Sequence, residues 1–240
     1  RSEAFPDLQA GIVHHRHDPP LLHKPQIVKR WCLALGHIAR HNAGWMVLDR
    51  LVQRHAPTAR VRARFHADTL DCQVAGGRAL LIKPTLFMNR SGISVAEAAT
   101  FFKLDPAEDL LIVVDETALD VGEIRLRPSG GENGHNGLKA IRARIGTDTY
   151  PRLRVGVGSP HPGENKSSYV LGRFRDDEKD SIDRAVNKAA DCCEAWLTRG
   201  IDDAMNTFNT RAKEAKPKSV PDAPEKNPPS TDLDPGWLTK

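Results

Sequence analysis

The feature that most constrains the fold is a short apolar run that ends at two carboxylates. Residues 110–114 read Leu-Leu-Ile-Val-Val, and Asp115 and Glu116 follow directly. A run that is this short and apolar at every position predicts a strand buried on both faces. In open α/β sheets, ligands bind in the crevice outside the carboxyl ends of the strands. We therefore expect Asp115 and Glu116 to lie at the edge of the core, beside a binding site.

A glycine-rich segment follows and adds further polar groups. Residues 130–134 read Gly-Gly-Glu-Asn-Gly, and His135 and Asn136 lead into a predicted helix. Glycine permits tight backbone geometry, and a helix start offers free N–H groups to an anion or a carbonyl oxygen. Carboxylate, imidazole, amide and backbone donors are thus expected to converge on one region. The segment has no G-K-[ST], which excludes a P-loop, and no G-x-G-x-x-G, which argues against a dinucleotide site.

The order of strand and helix signals predicts the fold class. Strands are predicted at 31–35, 72–74, 79–82, 110–114, 123–127 and 151–158, and helices at 42–55, 95–102, 137–145, 177–199 and 201–211. Strands alternate with helices in the second half, which predicts a single α/β domain with a mixed, largely parallel twisted sheet flanked by helices. We place this domain at 31–213. An irregular N-terminal extension at 1–30 precedes it, and a disordered tail at 214–240, rich in Pro, Lys and acidic residues, follows it.

The composition of the chain excludes only a few kinds of binding partner. The formal net charge is +4, which fits a phosphate-bearing partner if the cations cluster, although a mildly basic solvated surface is the more common reason for such a charge. There is no apolar run of membrane-spanning length and no signal-peptide layout, so we expect a cytoplasmic protein without a membrane partner. No C-x-x-C pair points to zinc. The histidines crowded between residues 14 and 23 lack a rigid frame, so we interpret them as an accidental cluster rather than a metal site.

Several unusual sequence blocks occur together in a fixed order. They are Arg40–Gly44, Lys83–Gly92, Asp115–Glu116 with Leu119 and Gly122, Arg125–Arg127, Gly134–Lys139 and Pro151–Gly158. In these blocks the chain resembles the bacterial-type peptidyl-tRNA hydrolase family, over roughly residues 32–213. The resemblance implies a mostly monomeric enzyme that cleaves the ester joining a peptide to the terminal ribose of tRNA. It also implies recycling of tRNA from stalled translation, without a metal or an organic cofactor.

The resemblance also implies roles for particular residues. His41 would be the general base that activates a water, for which imidazole is suited. Asp115 would hold the tautomer of His41 and stabilise its cation. Asn89 and Asn136 would bind the peptide main chain and help to place the carbonyl or the developing oxyanion. The remaining residues expected to line the cleft are Met88 and His135.

Contacts with tRNA are expected from basic residues beyond the cleft. Arg127 and Arg154 fall on the family's positions for gripping phosphates, and guanidinium groups suit phosphate oxygens. Lys139 is an additional candidate, although a solvated helix face explains its charge as well. The predicted partner is therefore peptidyl-tRNA.

One segment departs from the family pattern and leaves an alternative open. The family normally has a G-N-P-G turn, then a tyrosine, then T-R-H-N. Here residues 35–42 read Leu-Gly-His-Ile-Ala-Arg-His-Asn, which is shorter and lacks the turn's asparagine and the tyrosine. The alternative is a non-catalytic RNA-binding relative with a compromised cleft. Against it stands the retention of His41, Asn89, Asp115 and Asn136, which a pure binder has no evident need to keep.

Overall fold

A computed structural model describes residues 30–34, 39–74 and 76–209. The predicted tail at 214–240, and all of the predicted N-terminal extension except Arg30, lie outside the described residues. So does the segment 35–38, which contains most of the shortened connection. The proposed domain boundaries therefore stay predictions.

The described strands form one mixed sheet. They are β1 Arg30–Ala34, β2 Arg62–Arg64, β3 Ala67–Val74, β4 Gly77–Pro84, β5 Leu110–Glu116, β6 Ile124–Arg127 and β7 Arg152–Gly156. Their spatial order is β2-β3-β4-β1-β5-β7-β6. The central strands β4, β1, β5 and β7 run parallel, whereas the antiparallel pairings β2–β3, β3–β4 and β6–β7 lie towards the two edges. The predicted α/β fold with a mixed sheet is confirmed.

Helices cover both faces of this sheet. They are α1 Ala43–His55, α2 Ser91–Phe102, α3 Pro106–Asp109, α4 Asn136–Ile145, α5 Lys166–Leu171, α6 Lys179–Arg199 and α7 Ile201–Phe208. Short 3₁₀ turns at Ala39–Asn42 and Met88–Arg90 precede α1 and α2, and a third precedes α6. Among the described residues, no helix combines the length and the apolar character needed to cross a membrane.

Strand β5 is buried along its whole length, as its sequence predicted. Leu111 and Val113 belong to one core cluster, together with residues of α1 and α6. Leu110, Ile112 and Val114 belong to the other, together with residues of α2 and α4. Because both faces are covered by apolar side chains, the polar end of β5 is fixed at the rim of the core.

The crossing of α2 and α4 depends on a glycine. A Cβ atom placed on Gly92 would lie 2.0 Å from the carbonyl oxygen of Ala140, so only glycine permits this approach. Helix α2 begins at Ser91, whereas the sequence predicted a start at Val95. The apolar periodicity begins only there, and the packing of α2 against α4 extends the helix into the Ser-Gly-Ile-Ser segment.

Candidate active site

A histidine and an aspartate that are distant in sequence meet at the carboxyl end of β5. His41 lies in the 3₁₀ turn before α1, and Asp115 is near the end of β5. Nδ1 of His41 is 2.6 Å from Oδ1 of Asp115. The side chain of Asp115 is 3% exposed and that of His41 is 15% exposed. The carboxylate is therefore shielded, while the imidazole reaches the surface of the site.

A second histidine contacts the same carboxylate oxygen. Nε2 of His135 lies 3.1 Å from Oδ1 of Asp115. His135 is also the N-cap of α4, where its Nδ1 accepts hydrogen bonds from the backbone N–H groups of Gly137 and Leu138, at 3.1 and 3.4 Å. A ring nitrogen that accepts hydrogen bonds carries no proton, so the proton of this imidazole lies on Nε2. His135 is thus a fixed donor to Asp115.

These two donors decide the ionisation of Asp115. Burial alone would raise its pKa, but the hydrogen bonds from His135 and His41 outweigh burial and hold the pKa well below its usual range. An ionised carboxylate only accepts hydrogen bonds, so Nδ1 of His41 carries a proton and donates it. The nitrogen of His41 left with a free lone pair is Nε2.

These groups border a cleft beside β5. Its lining residues are His41, Asp115, Glu116, Thr117, Asn133, Gly134, His135, Asn136, Lys166, Ser167 and Val170. Four predicted site residues, His41, Asp115, His135 and Asn136, are therefore brought together. At its mouth, Nζ of Lys166 donates to the carbonyl oxygen of Asn133 at 3.2 Å, which joins α5 to the glycine-rich segment.

The other two predicted cleft residues lie in the 3₁₀ turn before α2. This turn packs against α4. Met88 is half-buried against the core, and Asn89 is exposed. Neither is among the residues that border the cleft. Their predicted contact with substrate stays a prediction.

The three predicted tRNA contacts differ in exposure. Arg127 on β6 and Lys139 on α4 are both exposed. Arg154 on β7 is buried, with a side chain that is 9% exposed, and it pairs with Glu116. Hydrogen bonds from Asn133, the backbone of Ala118 and Arg154 overcome the effect of burial and lower the pKa of Glu116.

The sequence did not single out the surroundings of Arg40. Its guanidinium group forms an ion pair with Glu178 at 2.6 Å and donates to the carbonyl oxygen of Val157 at 2.9 Å. It also lies over the rings of Tyr169 and Phe174, 4.5 and 4.9 Å from their centroids. Arg40 directly precedes His41, so this contact set anchors the histidine's backbone to α5 and to the start of α6. Its partners are more than a hundred residues away, and no local pattern identifies them.

The cluster of His41, Asp115 and His135 is also the group of described residues that could hold a metal ion. The hydrogen bonding opposes this use. A metal on Nε2 of His135 would move the ring proton to Nδ1, where two backbone N–H groups already donate. The arrangement therefore suits a proton-transfer site better than a metal centre.

Comparison with known proteins identifies the family. The family model for peptidyl-tRNA hydrolase matches residues 36–217. The chain belongs to the peptidyl-tRNA hydrolase family. Every residue predicted for the site falls within the matched range.

Individual relatives agree with this assignment. The peptidyl-tRNA hydrolase of Gloeobacter violaceus is 39% identical over 173 residues, which cover 72% of this chain and 87% of the relative. That of Caldicellulosiruptor saccharolyticus is 42% identical over 170 residues, covering 71% and 88%. The crystal structure of peptidyl-tRNA hydrolase from Acinetobacter baumannii superposes with a TM-score of 0.69 at 32% identity, over 75% of this chain and 94% of that one.

Proposed function

We propose that this chain cleaves the ester bond between peptide and tRNA, with His41 as the general base. Membership of the peptidyl-tRNA hydrolase family supplies the reaction, which recycles tRNA from stalled translation. The observation that carries the mechanism is the 2.6 Å hydrogen bond between His41 and the buried, ionised Asp115. It leaves one basic nitrogen of His41 free beside the cleft.

The proposed reaction begins with a water molecule held near Nε2 of His41. This nitrogen takes a proton as the water oxygen attacks the ester carbonyl carbon. Asp115 stabilises the imidazolium that forms, and His135 keeps the carboxylate ionised and oriented. When the tetrahedral intermediate collapses, the imidazolium returns the proton to the departing ribose oxygen. The products are a free peptide carboxyl group and an intact tRNA terminus, and no metal or organic cofactor is needed.

Substrate contacts are proposed on both sides of the reacting bond. Asn136 borders the cleft at the start of α4, where its amide suits a peptide carbonyl or the developing oxyanion. Asn89 and Met88 are proposed to contact the peptide from the neighbouring 3₁₀ turn. Arg127 and Lys139 are exposed cations that suit tRNA phosphates, and Arg154, which lines the same pocket as Arg127, is proposed to contact them as well. We further propose that the enzyme acts as a monomer in the cytoplasm, where translation takes place.

Replacing His41 by Ala tests the mechanism. Peptide release from an N-blocked aminoacyl-tRNA is expected to fall by about 10²–10⁴-fold, the usual contribution of a general base. The matched control is His55→Ala, because His55 also pairs with a carboxylate, Glu194 at 2.9 Å, but does not border the cleft. The control should keep full activity. A His41→Ala variant that releases peptide at the wild-type rate would refute the assigned base.

The same assay addresses the alternative, a non-catalytic RNA-binding relative. This alternative was suggested by the shortened segment before Arg40. Residues 35–38 of that segment lie outside the described residues. The comparisons give it no support. Tight tRNA binding by the wild-type chain without any turnover would restore it.

A further inference from the structure

Helix α5 forms one wall of the cleft, although it is packed less tightly than the other helices around the site. Lys166, Ser167 and Val170 on this helix border the cleft. None of its six residues is buried, and Leu171 at its end is 58% exposed. So short a helix is not stable in isolation and depends on tertiary packing. The position of this wall is therefore set by a small number of specific contacts.

Tyr169 makes two of these contacts. Its hydroxyl group donates to the carbonyl oxygen of Val157 at 2.9 Å, and the centroid of its ring lies 4.5 Å from the guanidinium carbon of Arg40. The residue after Val157 is Gly158, with a φ of 78°. A Cβ atom on Gly158 would lie 2.9 Å from Oη of Tyr169. The absence of a side chain at Gly158 thus leaves room for the tyrosine.

The guanidinium group beneath this ring is itself held in place. Nη1 and Nη2 of Arg40 donate to the two carboxylate oxygens of Glu178, at 3.1 and 2.6 Å. Nη1 also donates to the carbonyl oxygen of Val157 at 2.9 Å, and Arg40 is 4% exposed. A planar cation bound in this way offers a fixed surface on which an aromatic ring can stack. Tyr169 therefore packs against a rigid group.

The backbone of Arg40 connects the same helix to the proposed general base. The N–H of Arg40 donates to the carbonyl oxygen of Gly172, the C-cap of α5, at 3.0 Å. The residue that follows Arg40 is His41. Arg40 thus holds both His41 and the C-terminal end of α5. The tyrosine is the side chain of α5 that binds to this anchor.

We propose that Tyr169 is a positioning residue that holds α5 on the guanidinium group of Arg40 and keeps this wall of the cleft in the arrangement that binds substrate. Tyr169 does not border the cleft, so it acts through α5. The inference rests on the proposed function, because α5 matters through the substrate that occupies the cleft. Without the tyrosine, α5 is in place in only a fraction of the molecules, and the apparent affinity for substrate falls by that fraction.

Two substitutions divide the contribution of the side chain. Tyr169→Phe removes only the hydroxyl group, whereas Tyr169→Leu also removes the ring. In Tyr169→Leu, KM for an N-blocked aminoacyl-tRNA should rise about 2- to 30-fold, the range expected for a lost cation–π contact. Tyr169→Phe should raise KM less. In both variants kcat should stay near the wild-type value, because saturating substrate selects the molecules with α5 in place. A protein that is merely destabilised would instead lose kcat.

Each substitution has a matched control away from the cleft. Tyr150→Phe removes the hydroxyl group from a ring that lies 4.3 Å from the guanidinium of Arg152. Phe101→Leu removes a ring that lies 5.1 Å from the guanidinium of Arg64. Neither residue borders the cleft, so both controls should keep the wild-type KM. An unchanged KM in Tyr169→Leu, or a loss of kcat at unchanged KM, would overturn the proposal.

A double-mutant cycle with Arg40→Lys tests whether the tyrosine acts through the arginine. Lysine keeps the charge but loses the planar group on which the ring stacks. In the Arg40→Lys background, Tyr169→Leu should therefore raise KM by a smaller factor than it does in the wild-type chain. Equal factors in the two backgrounds would show that the two side chains act independently, which contradicts the proposal.

Amide hydrogen exchange measures the position of α5 without turnover. The N–H of Arg40 is protected by its hydrogen bond to Gly172, so departure of α5 exposes it. Faster exchange in Tyr169→Leu at Arg40 and at residues 169–172, with unchanged exchange in β5, supports the proposal. Wild-type exchange rates at these positions overturn it. A wild-type chain that released no peptide would refute the proposed function, and the exchange rates would still decide the role of Tyr169.

Discussion

Replacing Asp115 by Asn tests whether His135 fixes the geometry of the proposed catalytic pair, His41 and Asp115. In the structure, a single oxygen, Oδ1 of Asp115, accepts from both His41 and His135, at 2.6 and 3.1 Å. An asparagine can place its carbonyl oxygen at this position and accept both hydrogen bonds. The opposite orientation would bring an amide N–H against the fixed N–H of His135. The tautomers of both histidines should therefore survive the substitution.

The expected loss of kcat in Asp115→Asn follows from the negative charge that the substitution removes. The hydrogen bonds remain but lose their charge, and a hydrogen bond to a charged group contributes about 1.5–3 kcal/mol, against about 0.5–1.5 kcal/mol for a neutral one. A difference of roughly 1–1.5 kcal/mol in the transition state corresponds to about tenfold in kcat. Asp115→Ala leaves both donors without an acceptor and frees the tautomer of His41, so its loss should be about 10²–10⁴-fold.

Single-turnover cleavage of an N-blocked aminoacyl-tRNA measures both variants, with thermal unfolding as the control for stability. The reasoning is refuted if Asp115→Asn is as inactive as Asp115→Ala, since His135 would then not orient the side chain. A double-mutant cycle with His135→Ala sharpens the test. Without the fixed donor the asparagine can turn, so the double variant should lose more activity than the two single losses combined.

Two further predictions concern stability. Gly92→Ala should lower the free energy of unfolding by about 1–3 kcal/mol, because its Cβ would lie 2.0 Å from the carbonyl oxygen of Ala140. The control is Gly131→Ala, which has open space around it and should change thermal unfolding little. The pKa values of Asp115 and Glu116 are lowered in the folded state. The two carboxylates therefore stabilise the fold above their unfolded-state pKa values, near 4, and this stabilisation is lost as the pH falls through the folded-state values. In urea titrations at pH 7 and pH 3, Asp115→Asn should therefore lose less stability on acidification than the wild-type chain does.

The sequence predicted those parts of the fold that depend on local pattern. The uniform apolar run before Asp115 identified β5 as a strand buried on both faces, and the structure confirms it. The prediction succeeded because such a run has few other stable environments in a soluble protein. Helix α6 was equally clear, since its apolar positions recur with the helical period. Element ends were less predictable, as the early start of α2 shows, because long-range packing decides them.

The partners of buried charges could not be predicted from the sequence. Arg154 was predicted to contact a tRNA phosphate, but its ion pair with Glu116 and its hydrogen bond to the carbonyl oxygen of Gly131 were not predicted. Arg40 meets Glu178 across the fold, at a separation of 138 residues. The local sequence around a charged residue does not identify its partner, and the residue type alone does not distinguish an exposed cation from a buried one.

The position of His135 in the chain explains why it is a fixed hydrogen-bond donor to Asp115. A helix start leaves N–H groups without partners, and Ser, Thr, Asp or Asn usually accepts from them. Asn136 would be an ordinary N-cap, but the helix begins at it and His135 takes the capping role. Had Asn136 been the cap, Nδ1 of His135 would not accept these backbone hydrogen bonds, and the proton that Nε2 donates to Asp115 would no longer be fixed. The placement of one histidine directly before α4 thus uses the unsatisfied donors of a helix to set the tautomer of a residue that donates to Asp115, the proposed catalytic carboxylate.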